Sequence, residues 1–193
     1  LSSLPPIEKI EREYYAGDGP YLSYAPGENL VPAFLPVSNT KHQVRLTAST
    51  HDTRGILQNS TPEALGNTRR LQEKLDRNIS DYTFYDLDEE KGAKVLVVSY
   101  GITAQAAREA VSKLRAQGAK ASLFVPKTLF PVPPEYFRIM DGYDRVVIAE
   151  ENLTGQYRQV LFGSGPRPGV SGVNAIGRII TPGEIIQEVL KNG

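Results

Sequence analysis

The chain has 193 residues, 40% hydrophobic and 23% charged, with 22 Lys+Arg against 22 Asp+Glu. This is enough apolar residue to bury a core, which excludes a disordered chain. The zero net charge argues against nucleic acid as the main partner, because phosphate binding leaves a basic excess. Cysteine is absent, which excludes disulfides, thiolate zinc sites, Cys-ligated iron–sulfur clusters and a Cys nucleophile in this chain. The two histidines are His42 and His51, so a His-rich metal site cannot form. No apolar run reaches the ~18 residues of a membrane span, and no basic-plus-apolar leader follows Leu1. A cytoplasmic location without membrane contact is expected.

Six prolines (Pro5, Pro6, Pro20, Pro26, Pro32 and Pro36) break any long element in the first forty residues. A short helix over residues 7–15 is expected, followed by an extended arm whose apolar residues keep no regular period. Residues 43–48 alternate Val44, Leu46 and Ala48, the pattern of a strand. The segment SerThrProGlu at 60–63 is a helix start. From it a helix is expected over 62–78, with Leu65, Thr68, Leu71, Leu75 and Ile79 as its apolar face. Residues 81–87 suit a strand or an extended connection, and DEEKG at 88–92 suits a boundary. The expected organisation is an extended linker with a strand and an amphipathic helix over 1–90, then a compact α/β domain over 91–193.

The compact part begins with KVLVVSYG at 94–101, a short apolar strand (94–99) feeding a helix through a Gly turn. The helix is expected over 103–117, capped by Thr103 and ended by Gly118. Strands follow at 120–125, 145–149 and 172–180, with a helix starting at Pro134 and another opening at Gly155. ThrProGlyGlu at 181–184 is a capping box for a last helix whose inner face is Ile185, Ile186, Val189 and Leu190. Alternating strands and helices specify a three-layer α/β sandwich with a mainly parallel sheet.

Four constellations could carry chemistry. Gly101-Ile102-Thr103 sits at a strand-to-helix turn, where backbone N–H groups can bind phosphate, but neither GxGxxG nor GxxxxGK[ST] is present. It reads as a tight turn. Glu150 and Glu151 fall at the carboxyl end of a strand, where ligands gather in open sheets; neighbours on a strand point to opposite faces, which favours structural or interface use. His51-Asp52 could be an oriented imidazole, yet no Ser–His–Asp set can be assembled. GSGPRPG at 163–169 reads as a loop. No catalytic, cofactor-binding or metal-ligating residue is expected in the chain.

In order along the chain stand Tyr24, Val31-Pro32, Leu35-Pro36, TASTHDTRG at 47–55, and a helix with Arg69, Arg70 and Lys74. VLVVSYG at 95–101, LFP at 129–131 and EENLTGQ at 150–156 complete the series. This series resembles the C-terminal part of the alpha subunit of 2-oxoacid:ferredoxin oxidoreductases, over roughly residues 20–190. The resemblance implies a transketolase C-terminal-like domain preceded by its linker. It implies a complete enzyme that converts a 2-oxoacid, CoA and oxidised ferredoxin to an acyl-CoA, CO2 and reduced ferredoxin, using thiamine diphosphate, Mg2+ and [4Fe–4S]. Within that enzyme the segment would be structural, holding no cofactor and packing on the beta subunit, with ferredoxin and CoA engaged at the level of the complex. It would be inactive alone. The residues so implied to face a partner are His51, Asp52, Arg54, Gly55, Tyr100, Gly101, Glu150, Glu151, Asn152, Gly155 and Gln156. Thr50 stands where the 2-oxoglutarate branch often has an acidic residue, and Ile102 where Ser is common, so the 2-oxoacid is left open. The family's thiamine-pyrimidine-type domain has no counterpart here, so its substrate-contacting residues are not carried over. The alternatives are a free-standing nucleotide- or small-ligand-binding α/β module and the equivalent domain of another thiamine enzyme.

Overall fold

The computed structural model describes residues 11–191. The chain divides into two compact units, residues 1–78 and 79–193. The division falls before the expected boundary at 88–92. The reason is that Tyr85–Asp88 (β1) pairs antiparallel with Ala121–Pro126 (β3), which ties it to the second unit's sheet.

In the first unit, the expected helix over 7–15 is not formed at 11–15, and residues 7–10 lie outside the described residues. Tyr14 instead bridges Phe34, with Phe34 N–H donating to the Glu13 carbonyl at 2.8 Å. Residues 43–48 form no strand. Side chains take the place of a ladder: Arg45 N–H donates to Ser23 Oγ at 3.3 Å, and Thr47 N–H to Tyr24 Oη at 3.0 Å. The helix Pro62–Arg77 (α1) forms as expected, with Thr61 accepting from Ala64 N–H and Pro at the first turn. Its burial differs from expectation. Ala64 and Asn67 are buried, whereas Leu65, Leu71 and Leu75 remain 37–47% exposed. The small face of α1 closes on the 51–58 loop, where Asn67 Nδ2 reaches His51 Nδ1 at 3.2 Å.

In the second unit, a 3-10 turn at Ile79–Tyr82 leads into β1. Among the described residues, five strands form one sheet in the order β1-β3-β2-β4-β5, with Val95–Ser99 (β2), Arg145–Glu150 (β4) and Val170–Asn174 (β5). All neighbouring pairs but β1–β3 are parallel. Strand alternation sorts the core into two clusters. Val97, Val147 and Ala149 pack with Thr103–Ala116 (α2) and Pro182–Leu190 (α5). Leu96, Val98, Phe124 and Ile148 pack with Tyr136 and Met140 of Pro134–Met140 (α3) and with Tyr157 and Leu161 of Gln156–Phe162 (α4). This is the expected three-layer α/β sandwich. The alanines of α2 (Ala104, Ala107, Ala110) are 4% exposed or less, which lets the helix sit close to the sheet.

Three expectations shift in detail. Thr103 is buried as the first helical residue and does not cap, because Gly101 and Ile102 carbonyls accept the first helical N–H groups. The fourth parallel strand covers Val170–Asn174, not 172–180; β4 ends at Glu150, whose register partner is Asn174, so nothing remains to pair with residue 175 onward. The capping box on α5 is present in both directions, but Leu190 is half exposed and only Ile185 and Val189 are buried.

Candidate partner-facing loops

The loop after β4 is built by the side chains of its own sequence. Glu150 is the last residue of β4 and is buried. Its carboxylate accepts from the backbone N–H groups of Tyr157 (2.7 Å) and Arg158 (3.0 Å), from Asn152 Nδ2 (2.6 Å) and from Tyr100 Oη (3.3 Å). Asn152 Oδ1 then accepts from Gly155 and Gln156 N–H at 2.7 and 2.9 Å. A carboxylate and an amide together satisfy the otherwise orphaned donors at the start of α4. Gly155 sits at φ 70°, and a Cβ there would meet Arg158 Nε at 3.2 Å and Glu150 Oε1 at 3.4 Å. That combination explains why Glu, Asn and Gly occur at these spacings. Glu151 points the other way and accepts from Ile180 N–H at 3.3 Å. The two glutamates therefore serve separate contacts, as strand geometry predicts.

Tyr100 packs edge-on against Tyr157, with centroids 5.2 Å apart. Burial, aided by the neighbouring Glu150, pushes the Tyr100 hydroxyl above its usual pKa. Tyr157 is raised further, again chiefly by burial, and its Oη has no hydrogen-bond partner among the described residues. Both phenols stay neutral near pH 7. Gly101, at the neighbouring strand end, is exposed.

The HDTRG loop of the first unit follows the same logic with a different carboxylate. Asp52 is fully buried. Its Oδ1 accepts from Arg54 and Ile56 N–H at 3.0 and 2.9 Å. Its Oδ2 accepts from Arg54 Nε and Nη2 and from Gln58 Nε2 at 3.2, 3.0 and 3.2 Å. The Ile56 N–H, with the Arg54 guanidinium and N–H, holds the Asp52 pKa below the ordinary carboxylate value against the opposing effect of burial. His51 lies against the Tyr24 ring at 3.7 Å between centroids, and its Nδ1 is 3.0 Å from the Asp52 carbonyl and 3.2 Å from Asn67 Nδ2. Asp52 therefore binds backbone and Arg54, and the His–Asp side-chain pair considered from sequence does not form. Gly55 has φ 76°, and a Cβ there would lie 3.0 Å from the Arg45 carbonyl and 3.1 Å from Tyr24 Cε2. Only Gly combines that backbone conformation with that approach.

Of the eleven residues expected to face a partner, Asp52, Glu150, Gly155 and Gly55 are buried. Their side chains, or the lack of one, shape the loops. Arg54, Gly101, Glu151 and Gln156 are exposed, and His51, Tyr100 and Asn152 are half-buried. Sequence reading did not single out Asn67 or Asn174, and gave Arg70 only as part of the family resemblance. Arg70 Nη1 donates to the Leu30 carbonyl at 2.8 Å and its Nε to Asn67 Oδ1 at 3.1 Å. Leu30 has φ 62°, uncommon for a residue with a Cβ. No sequence pattern signals contacts between residues that far apart.

Among the described residues, no group of three or more His, Asp or Glu side chains is arranged to hold a metal ion. The absence of cysteine leaves no thiolate donors for an iron–sulfur cluster. The described helices include none long and apolar enough to cross a membrane.

A family profile for the pyruvate:ferredoxin oxidoreductase core domain II matches residues 93–165, which run from the start of β2 to the end of α4. Ketoisovalerate oxidoreductase subunit VorB of Methanothermobacter thermautotrophicus is 38% identical over 112 residues, 55% of this chain and 30% of that protein. Over that region the chain is similar to subunits of 2-oxoacid oxidoreductases. The 2-oxoglutarate synthase subunit KorA of Methanothermobacter marburgensis is 26% identical over 162 residues, 81% of this chain and 42% of that protein. The fold also matches a solved 2-oxoglutarate:ferredoxin oxidoreductase from Magnetococcus marinus, with TM-score 0.79 and 24% identity over 94% of this chain and 32% of that one. That protein was determined with 2-oxoglutarate, coenzyme A and succinyl-CoA bound. The present chain thus spans about a third of the length of the oxidoreductase subunits it matches.

Proposed function

We propose that the chain is a segment of the alpha subunit of a 2-oxoacid:ferredoxin oxidoreductase, with a structural and subunit-packing role. The match of residues 93–165 to core domain II carries the reading. In the complete enzyme a 2-oxoacid, CoA and oxidised ferredoxin become an acyl-CoA, CO2 and reduced ferredoxin. Thiamine diphosphate with Mg2+ and [4Fe–4S] supply decarboxylation and electron transfer there, on residues other than these. The buried carboxylates support this division of labour. Each oxygen of Asp52 and Glu150 already accepts hydrogen bonds from its own loop, so neither is available as a base. The exposed residues of each unit, Arg54 in the first and Gly101, Glu151 and Gln156 in the second, are each offered for subunit packing.

An affinity-tagged alpha chain containing this segment, mixed with a thiamine-diphosphate-bearing beta subunit, tests the proposal. The chain alone should yield no acyl-CoA from 2-oxoacid, CoA and ferredoxin, and the beta subunit should co-purify. Failure of the intact alpha chain to associate overturns the reading.

A further inference from the structure

The HDTRG motif has a second consequence within the first unit. A cleft of about 580 Å3 opens there, walled by residues 18–22, 41–43, Arg45, Arg54 and Ile56. That volume falls in the range of small-molecule sites. Its cations come from two stretches: Lys41 and Arg45 from one, Arg54 from the other. Lys41 is matched at the rim by Asp18, at 2.7 Å. Arg45 is not matched. It is half-buried, and among the described residues its guanidinium makes no hydrogen bond and no ion pair. Its stem rests against the Gly55 backbone, and its guanidinium is left with open donors that an anion can fill.

Arg54 is oriented for the same task. Asp52 takes its Nε and Nη2, which fixes the guanidinium and leaves Nη1 without a partner among the described residues. A fork held in place before binding loses less entropy when an anion arrives. Gly55 contributes by absence: a Cβ there would lie 3.3 Å from Arg45 Cγ, so the arginine stem rests close to the Gly55 backbone. The rest of the wall includes the apolar surfaces of Tyr21 and Ile56.

We propose that this cleft binds an organic phosphate, with the phosphate or diphosphate on Arg45 and Arg54 and the organic body on Tyr21 and Ile56. Guanidinium forks match phosphate oxygens bidentately, which favours phosphate as the anion. A short carboxylate, such as a 2-oxoacid, would leave most of the cleft unfilled.

Calorimetric titration of the 193-residue chain with ADP, inorganic pyrophosphate, adenosine and a 2-oxoacid tests this. ADP should bind, adenosine should bind at least tenfold more weakly, and Arg45→Gln should weaken ADP at least tenfold. Arg69→Gln, on exposed α1 surface outside the cleft, should leave ADP binding unchanged. Pyrophosphate weaker than ADP supports the nucleotide as the source of the phosphate. Pyrophosphate equal to ADP overturns the assignment of the apolar wall to an organic body. Should Arg45→Gln fail to fold, Arg45→Lys keeps the charge and loses the fork, and ADP should weaken severalfold. Binding of neither phosphate, undiminished ADP binding in the folded Arg45 variant, or a 2-oxoacid that binds more tightly than ADP overturns the proposal.

Discussion

The two units hold themselves together by different means. The second unit stands on two apolar clusters either side of a sheet, with Leu96, Val97, Val98, Val147 and Ile148 fully buried. The first unit has few such residues: Leu35 and Ala64 are its buried hydrophobics among the described residues. Its order comes from polar latches instead. Asp52 gathers five donors, Glu63 accepts from Thr53 N–H and Oγ1 at 2.9 and 2.7 Å, and Arg70 clamps the Leu30 carbonyl. Apolar burial is non-directional and tolerates exchange of similar shapes, whereas a latch fails when one partner is removed. The second unit should therefore lose most to changes of core volume, and the first to removal of single polar atoms.

The largest expected effect is on volume. Leu114 lies on α2, fully buried. Leu114→Ala should destabilise the second unit by about 2–5 kcal/mol through lost transfer energy and a residual cavity, read from its denaturant midpoint. Glu150→Ala should come next. It leaves the Tyr157 and Arg158 N–H groups without an acceptor, at a cost of roughly 1–3 kcal/mol, and should increase protease cleavage within 151–156. Removing the α5 cap with Thr181→Ala should cost about 1 kcal/mol, seen as a small fall in Tm. In each case a matching loss in the first unit's transition would break the contrast.

Acid sharpens it further. The Arg178 side chain, then Thr181 N–H, hold Glu184 down to about 2, and the Ile56 N–H holds Asp52 below its ordinary value. Groups with depressed folded pKa values stabilise above their unfolded pKa and lose that stabilisation as pH falls through the folded one. The window for Glu184 runs from the ordinary value of 4.5 down to about 2. Thermal melts across that range should flatten for the second unit in Glu184→Gln, and melts below the ordinary Asp52 value of 3.8 should flatten for the first in Asp52→Asn.

The sheet was far more legible in the sequence than the latches. Runs such as VLVVS and RVVIAE specify buried parallel strands by composition alone, and the order of strands and helices follows. Residues 43–48 misled because alternation is only half of a strand. A ladder partner is also required, and here Tyr24 and Ser23 side chains supply the contacts instead. Likewise Leu65, Leu71 and Leu75 read as a core face, but α1 buries the side where Asn67 reaches His51. Glu150, Asn152 and Gly155 were visible as a motif. Their role was not, because it depends on where Tyr157 and Arg158 N–H groups point after the loop has closed.

Amide hydrogen exchange of wild type, Asp52→Asn and Glu150→Gln tests most directly whether these two carboxylates are spent on their own loops. Asp52→Asn should speed exchange at Arg54 and Ile56 by about tenfold, leaving Tyr157 and Arg158 unchanged. Glu150→Gln should do the reverse. Unchanged exchange at all four amides, in variants that remain folded, would contradict the account and return both carboxylates to the list of groups free for chemistry.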